Sequence, residues 1–180
     1  MTSGRPRATS RATIAEAATE LFLERGYAET TVADITRRAG VSRSSFFNYF
    51  STKADVLWGG FDDRADAACA ALAGAAEPVD ALRDLVDGFA PDTLALAITH
   101  GAAMGVAADL ETERALRVAR LARAISDALA ARGWSRLAAD IRGWSLAGAV
   151  LAAVWAWAAR GAGRSELPPL FEDALSLLPE

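Results

Sequence analysis

The sequence has only one cysteine and one histidine in 180 residues, and this scarcity excludes several kinds of site. Cys69 has no partner for a disulfide inside the chain, and a cysteine metal cluster cannot form. His100 has no serine, cysteine or metal-ligating partner at a spacing that a catalytic or metal site would need. We therefore predict no enzyme activity, no metal and no cofactor.

The sequence also lacks a targeting segment and a long apolar run. Residues 1–12 are polar and basic, without the apolar core of a signal peptide, which indicates a cytoplasmic protein. The longest uncharged apolar run covers residues 143–159, whereas a membrane-spanning helix needs about 20 apolar residues. We therefore predict a helix buried in a core or a dimer interface and no membrane association, with a membrane span as the less favoured alternative.

Valine and isoleucine are few and never alternate with polar residues over the length of a strand, whereas alanine is abundant. This composition predicts an all-α protein of about nine helices. Periodicity, capping residues and breaks at glycine and proline place the helices at about 10–24, 31–39, 43–50, 53–73, 79–89, 92–106, 111–132, 135–160 and 168–177.

The charges are unevenly distributed along the chain. Residues 1–58 carry 8 basic and 6 acidic side chains, whereas residues 59–180 carry 11 and 17. A protein that is acidic overall can still bind a polyanion through a local basic face. The first segment is therefore the place to look for nucleic-acid contacts.

Two short predicted helices, joined by Ala39-Gly40-Val41-Ser42, match a helix-turn-helix motif. In the second helix, Phe46 and Phe50 lie one turn apart and face the small core, whereas Phe47 faces outward beside Arg43 and Ser44. An arginine can bind a guanine edge, and an exposed ring can contact a thymine methyl group. The pattern predicts a DNA-reading helix.

Phosphate contacts are predicted on both flanks of this motif. Thr30 and Thr31 lie at a helix N-terminus, where free backbone N–H groups can bind a phosphate, and Thr31 and Asp34 have the spacing of a capping box. Lys53, at the start of the next helix, can bind a phosphate on the other flank.

Residues 12–57 contain A-T-I-A-E-A-A-T-E-L-F-L-E-R-G-Y followed by T-T-V-A-D-I-T-R-R-A-G-V-S-R-S-S-F-F-N-Y-F-S-T-K-A-D-V-L. In these residues, about a quarter of the chain, the sequence resembles the N-terminal domain of TetR/AcrR-family transcriptional regulators, without gaps. Thr36 departs from the alanine usual in the family, so its hydroxyl must pack or bond locally. Asn48 departs from the aromatic or basic residue of many members.

The resemblance implies a homodimeric, all-α repressor whose two recognition helices enter successive major grooves of a pseudo-palindromic double-stranded DNA operator. A ligand in the C-terminal domain would change the spacing of the two heads and release the DNA. By position, bases would be contacted by Arg43, Ser44, Ser45 and Phe47, and phosphates by Thr31, Tyr49 and Lys53; Thr30 and Asn48 complete the predicted DNA-binding set.

The predicted organisation has three parts. Residues 1–9 form a flexible basic tail, whose Arg5 and Arg7 would reach a neighbouring minor groove. Residues 10–52 form the helix-turn-helix domain, and residues 53–180 form a helical ligand-binding and dimerisation domain.

Residue type alone suggests a pocket in the second domain, because no motif marks one. The apolar candidates indicate a small hydrophobic effector, although each could equally fill the core. The predicted lining residues are Phe61, Phe89, Leu96, His100, Met104, Leu121, Trp134, Trp144 and Trp155. We interpret His100 as a core or pocket-wall residue, and Cys69 as a packing residue with redox sensing as the alternative. The acidic triplet Asp62, Asp63 and Asp66 is interpreted as a solvated helix face, with a cation site as the alternative.

The predicted helix 135–160 has two apolar rows and must be covered on both sides. One row contains Leu137, Ile141, Trp144, Gly148, Leu151 and Trp155, and its four-three spacing with the small Gly148 suits close helix packing. One side would face the protomer core and the other a second copy of the chain, and the sequence leaves open which row does which. The candidate residues for the homodimer interface are those of the other row together with two from the last helix: Leu146, Val150, Val154, Trp157, Leu170 and Leu175. A central helix in a monomeric bundle is the alternative.

Two functions stay open from the sequence. The first is a ligand-responsive DNA-binding repressor. The second is a dimeric small-molecule-binding protein without specific DNA-binding activity.

Overall fold

A computed structural model describes residues 10–89, 93–161 and 164–179. Within these residues the chain forms nine α-helices and no β-strand, as the composition predicts. The helices are α1 (Ser10–Arg25), α2 (Val32–Ala39), α3 (Arg43–Phe47), α4 (Asp55–Ala73), α5 (Pro78–Val86), α6 (Thr93–Met104), α7 (Ala107–Ala131), α8 (Arg136–Ala159) and α9 (Leu167–Ser176).

Local capping fixes both ends of the helix-turn-helix formed by α2 and α3. The Thr31 hydroxyl accepts the Asp34 N–H at 3.1 Å, and the Asp34 carboxylate accepts the Thr31 N–H at 3.1 Å, so the predicted capping box is present. Gly40 ends α2 with φ 66°, a left-handed conformation that favours glycine. The Ser42 hydroxyl then caps α3 by accepting the Ser45 N–H at 3.0 Å.

Helix α3 ends at Phe47, earlier than the predicted residue 50, because the chain turns at Asn48. Phe46 and Phe50 are nevertheless buried, as the spacing predicts, with ring centroids 5.6 Å apart. The Thr36 hydroxyl donates to the Ala33 carbonyl at 3.1 Å, which is the local bond that this departure from the family pattern requires.

Helices α7 and α8 cross at very short range. The buried Ser126 hydroxyl of α7 donates to the Ala139 carbonyl of α8 at 3.1 Å. At Gly143 there is no room for a side chain, because a Cβ atom would lie 2.6 Å from the Ala122 carbonyl oxygen and even closer to the Ser126 hydroxyl. Gly148, the small residue that the sequence singled out, has nothing within 4 Å of its Cβ position. The close crossing inside the protomer is therefore at Gly143.

Backbone and side-chain bonds join the first three helices to the rest of the protein. The Tyr27 N–H, just after α1, donates to the Met104 carbonyl at the end of α6, at 2.6 Å. The Arg11 guanidinium of α1 donates to the Gly59 carbonyl of α4 at 3.2 Å and pairs with Asp63. The head is therefore held against both α4 and α6.

The acidic triplet on α4 pairs with arginines of other helices. Asp62 binds Arg117 of α7 through two bonds of 2.8 and 2.7 Å. Asp63 pairs with Arg11, and Asp66 pairs with Arg120 of α7. The interpretation of this triplet as a solvated helix face is therefore incomplete, because all three carboxylates join α4 to its neighbours.

Helix α8 is long and apolar enough to cross a membrane by length and composition. Half of its most apolar 18-residue stretch is buried inside the protein, as in the core helix of a globular fold. Its composition is therefore weak evidence for a membrane span.

We predict that Gly143→Ala destabilises the fold and that Gly148→Ala does not. The added methyl group at residue 143 forces α7 and α8 apart, which should lower the free energy of unfolding by about 1 to 3 kcal/mol. Urea denaturation followed by circular dichroism measures both variants. An unchanged midpoint for Gly143→Ala would contradict the close crossing.

Candidate DNA-binding surface

Arg43 and Phe47 form the outward face of α3. The Phe47 side chain is 47% exposed, and the guanidinium carbon of Arg43 lies 5.6 Å from its ring centroid. The edge of the ring packs on Phe46 at 5.3 Å, which fixes its position from the core side. Arg43 has no carboxylate partner in the described part of the chain, whereas Arg37 and Arg38 pair with acidic residues. The face thus presents an unneutralised guanidinium beside an anchored ring.

Three serine hydroxyls surround the start of α3. The Ser42 hydroxyl lies 2.8 Å from the hydroxyls of both Ser44 and Ser45. Ser44 is exposed, whereas Ser45 is half-buried. Ser44 is therefore the more accessible of the two predicted base contacts, and Ser45 mainly supports the cap.

Thr30 is placed where it cannot contact DNA. Its side chain is buried, and its hydroxyl donates to the Gly26 carbonyl at 2.8 Å. The prediction of Thr30 as a phosphate contact is therefore wrong, because the residue closes the turn after α1. Thr31 stays exposed at the start of α2, although its hydroxyl donates to the Asp34 carboxylate at 2.5 Å.

Lys53 has a structural role that its sequence position did not reveal. Its ammonium group donates to the carbonyls of Tyr27 and Thr30 at 2.6 and 3.1 Å and lies 4.0 Å from the Tyr27 ring centroid. Burial lowers the pKa of Lys53 and raises the pKa of the Tyr27 hydroxyl to about 12. Two of the three ammonium donors are thus used inside the protein, which leaves one for the predicted phosphate contact.

The remaining predicted DNA contacts lie at the edge of this face. Asn48 and Tyr49 are exposed in the turn that follows α3. Arg5 and Arg7 of the predicted basic tail lie outside the described residues.

The predicted pocket residues separate into three groups by burial. Phe61, Phe89, Met104 and Leu121 are buried, and Leu96 and Trp155 are half-buried. His100, Trp134 and Trp144 are exposed, so their prediction as pocket-wall residues is wrong for this protomer. His100 also departs from helical geometry inside α6, with φ −113° and ψ 15°.

Burial distinguishes the two apolar rows of α8, which the sequence could not. Leu146, Val150, Val154 and Trp157 are buried in the protomer core, together with Leu170 of α9, and Leu175 is half-buried. The exposed side chains belong to the other row, where Leu137, Ile141 and Trp144 face outward. A partner cannot contact the predicted interface row without opening the core, so that assignment is wrong.

Sequence reasoning missed a buried cluster around Trp58. This α4 indole is fully buried, and the guanidinium carbon of Arg117 lies 4.3 Å from its ring centroid. Arg117 also donates to the Glu113 carboxylate at 2.5 Å, in addition to its two bonds with Asp62. The sequence did contain a signal for this cluster. Trp58 directly follows Leu57 on α4, a helix that must turn one face to the core.

Cys69 is half-buried on α4, as the packing interpretation expects. Burial raises the pKa of its thiol above the ordinary value. The reactive thiolate is therefore scarce at neutral pH, which disfavours the redox alternative.

A family model for bacterial regulatory proteins of the tetR family matches residues 14–57, which include α2, α3 and the start of α4. Residues 14–57 form a TetR-family N-terminal domain. The resemblance seen in residues 12–57 is thereby confirmed, and so is the all-α architecture with an N-terminal helix-turn-helix.

Curated relatives agree with this assignment. A protein named as a mycofactocin biosynthesis transcriptional regulator, MftR, of Mycobacterium tuberculosis is 34% identical over 92 residues, which cover 51% of this chain and 44% of MftR. The HTH-type transcriptional regulator TtgR of Pseudomonas putida is 46% identical over 48 residues, or 27% of this chain and 23% of TtgR. The matches thus span less than half the length of these relatives.

A solved structure shares the fold over nearly the whole chain. The fatty acid degradation regulator FadR from Bacillus halodurans superposes with a TM-score of 0.52 at 16% identity, over 98% of this chain and 96% of that chain. At this identity the likeness concerns the fold of a TetR-family protein and not its ligand.

We predict that Asp34→Asn makes the head less sensitive to acid. The pKa of Asp34 is held below its ordinary value of 3.8, first by the Thr31 hydroxyl and then by the Thr31 N–H. Ionised Asp34 therefore stabilises the folded state at pH values above 3.8. This stabilisation is lost as the pH falls through the lower pKa of the folded state. Urea denaturation of both proteins at neutral pH and near pH 3 should show the wild type losing its advantage over the variant in acid. A difference that does not depend on pH would contradict the capping role of the carboxylate.

Proposed function

We propose that this protein is a ligand-responsive transcriptional repressor that binds a pseudo-palindromic DNA operator as a homodimer. The observation that carries the proposal is the outward face of α3, where unpaired Arg43 lies over half-exposed Phe47 within a capped helix-turn-helix. The family assignment supports the same conclusion, because the matched relatives are named as transcriptional regulators.

The proposed DNA contacts follow from accessibility. Arg43 donates to a guanine edge, and Phe47 contacts a thymine methyl group in the major groove. Ser44 is free to reach a base or a phosphate. Thr31 and Tyr49 lie on the two flanks of this face, where they contact the backbone and fix the register of the helix.

The bonds between helices support separate roles for two parts of the chain. Residues 10–52 form the DNA-binding head, and residues 53–180 form the body that binds the effector and dimerises. Head and body are joined through Tyr27 and Met104 and through Arg11 and Asp63, so that a shift of α4 or α6 moves the head. In the dimer, a hydrophobic effector in the body changes the distance between two heads that must reach half-sites roughly 34 Å apart.

The exposed row of α8 is the proposed dimer interface. Leu137 and Ile141 are 72% and 60% exposed, and Trp144 and the open position at Gly148 continue the row. The Arg142 guanidinium donates to the Pro179 carbonyl at 2.9 Å, which brings the residues just after α9 beside this row. A contiguous apolar face of this kind marks an interaction site, and a two-fold axis lets the same face cover itself.

The proposal includes a cytoplasmic location, because an operator-binding protein works where the DNA is. It assigns no enzymatic step to any residue, since the relatives are named as regulators. A dimeric small-molecule-binding protein without specific DNA binding is the competing function, and the first experiment below distinguishes the two.

We predict that Arg43→Ala and Phe47→Ala each weaken specific binding to the DNA upstream of the protein's own gene. Loss of a bidentate contact to guanine should cost about 1 to 3 kcal/mol in discrimination between operator and unrelated DNA. Gel-shift titrations at about 50 and 200 mM salt measure affinity and its salt dependence. Arg123→Ala, an exposed arginine on α7, is the matched control and should bind like the wild type.

Failure of the wild type to bind specifically, or full binding by both α3 variants, would refute the proposed function. Specific ligand binding without DNA binding would establish the competing one.

We predict that Ile141→Glu converts the dimer to monomers. Burying an unpaired carboxylate in an apolar interface should weaken association roughly a hundredfold. Leu116→Glu on α7 is the matched control, because Leu116 is equally exposed at 60%. Analytical ultracentrifugation should find one chain per particle for the first variant and two for the control. Equal behaviour of the two variants would place the interface elsewhere.

A further inference from the structure

Trp58 carries a buried hydrogen-bond donor without an acceptor. Its side chain is fully buried on α4, and its indole Nε1 has no partner among residues 10–89, 93–161 and 164–179. Trp157, by contrast, is also buried but donates its Nε1 hydrogen to the Ser165 carbonyl at 2.8 Å. Buried indole N–H groups normally find such a partner, so the missing acceptor at Trp58 needs an explanation.

The known neighbours of Trp58 are aromatic rings and one guanidinium. The Phe61 ring meets the indole edge to face at 5.7 Å, and the Trp155 indole lies at 5.8 Å with a 34° tilt. The Arg117 guanidinium lies over the indole at 4.3 Å. The surroundings therefore favour an apolar molecule.

A single water molecule is a poor occupant of this position. A buried water is held by two to four polar partners. Among the contacts of Trp58 within the described residues, Arg117 supplies the polar group, and four of its five N–H donors already bond the Asp62 carboxylate and the carbonyl and carboxylate of Glu113. A water at Trp58 would have the indole N–H and at most one guanidinium N–H as firm partners, and both of these are donors.

The charge of the cluster disfavours an anion. The guanidinium of Arg117 is neutralised by the Asp62 and Glu113 carboxylates, and a third carboxylate, that of Asp55, lies 3.9 Å from it. A negatively charged ligand would therefore be repelled by these carboxylates, because the one cation beside them is already neutralised. A neutral oxygen is the acceptor that satisfies the indole without this repulsion.

We propose that Trp58 is the residue that recognises the effector, by donating its indole N–H to the carbonyl oxygen of an uncharged, apolar molecule that packs against Phe61 and Trp155. This inference rests on the proposed function, because it names the chemical class of the effector and one residue that selects it. A hydrocarbon of the same shape leaves the buried N–H unpaired and binds more weakly.

The test compares two probes of the same shape, the bicyclic ketone 1-tetralone and the hydrocarbon tetralin, on the full chain without DNA. In ¹⁵N-labelled wild type, 1-tetralone should shift the indole N–H resonance of Trp58 downfield, whereas tetralin should not. The Trp157 resonance is the internal control, since its N–H is already bonded to Ser165. Trp58→Phe, which keeps a ring and removes the donor, assigns the signal.

Titration of the variants measures the selectivity. The wild type should bind 1-tetralone about tenfold more tightly than tetralin, which is the contribution of one hydrogen bond. Trp58→Phe should bind the two probes equally, and Trp157→Phe should keep the preference. Thermal unfolding of each variant shows whether it is folded.

Two results would overturn the inference. One is an unmoved Trp58 resonance in 1-tetralone, including the case in which it shows only a cross-peak to bound water. The other is a preference for the ketone that survives in Trp58→Phe. If either occurs while the wild type still binds operator DNA in gel shifts, this inference fails and the proposed function stands. Ketone-selective binding without any DNA binding would instead remove the repressor function.

Discussion

The structure depends on how one buried positive charge is satisfied. The Arg117 side chain is only 10% exposed, and a guanidinium in such a place requires carboxylates with good geometry. Asp62 supplies a two-bond contact from α4, Glu113 supplies a second carboxylate from α7, and the Trp58 ring covers the guanidinium plane. A displacement of α7 relative to α4 would break the two bonds between Arg117 and Asp62 and leave the Asp62 carboxylate unpaired, so the two helices are expected to move together.

This coupling reaches the DNA-binding head because α4 begins where the head ends. The Asp55 carboxylate accepts the N–H groups of Ser51 and Thr52 at 2.9 Å, at the junction between the two parts. The Tyr27 N–H forms a second connection by donating to the Met104 carbonyl. The head is thus joined to the body at two places, by the Asp55 side chain at the junction and by a backbone bond just after α1.

Sequence reasoning was accurate where the relevant contacts are local. The capping box of Thr31 and Asp34, the left-handed turn at Gly40 and the burial of Phe46 and Phe50 each depend on residues a few positions apart. It failed where a distant element decides. The two faces of α8 were assigned by residue type, but helices from other parts of the chain determine which row remains accessible.

The sequence by itself determined the helical class, the helix-turn-helix and the family, because periodicity, capping and motif spacing are properties of neighbouring residues. Only the tertiary structure decided which apolar row of α8 is covered, since both rows have similar composition and the covering helices come from other parts of the chain. It also decided that Gly143, not Gly148, lies at the close helix crossing inside the protomer. The unpaired indole of Trp58 could be found in no other way, because a missing hydrogen bond is visible only when every neighbour is in place.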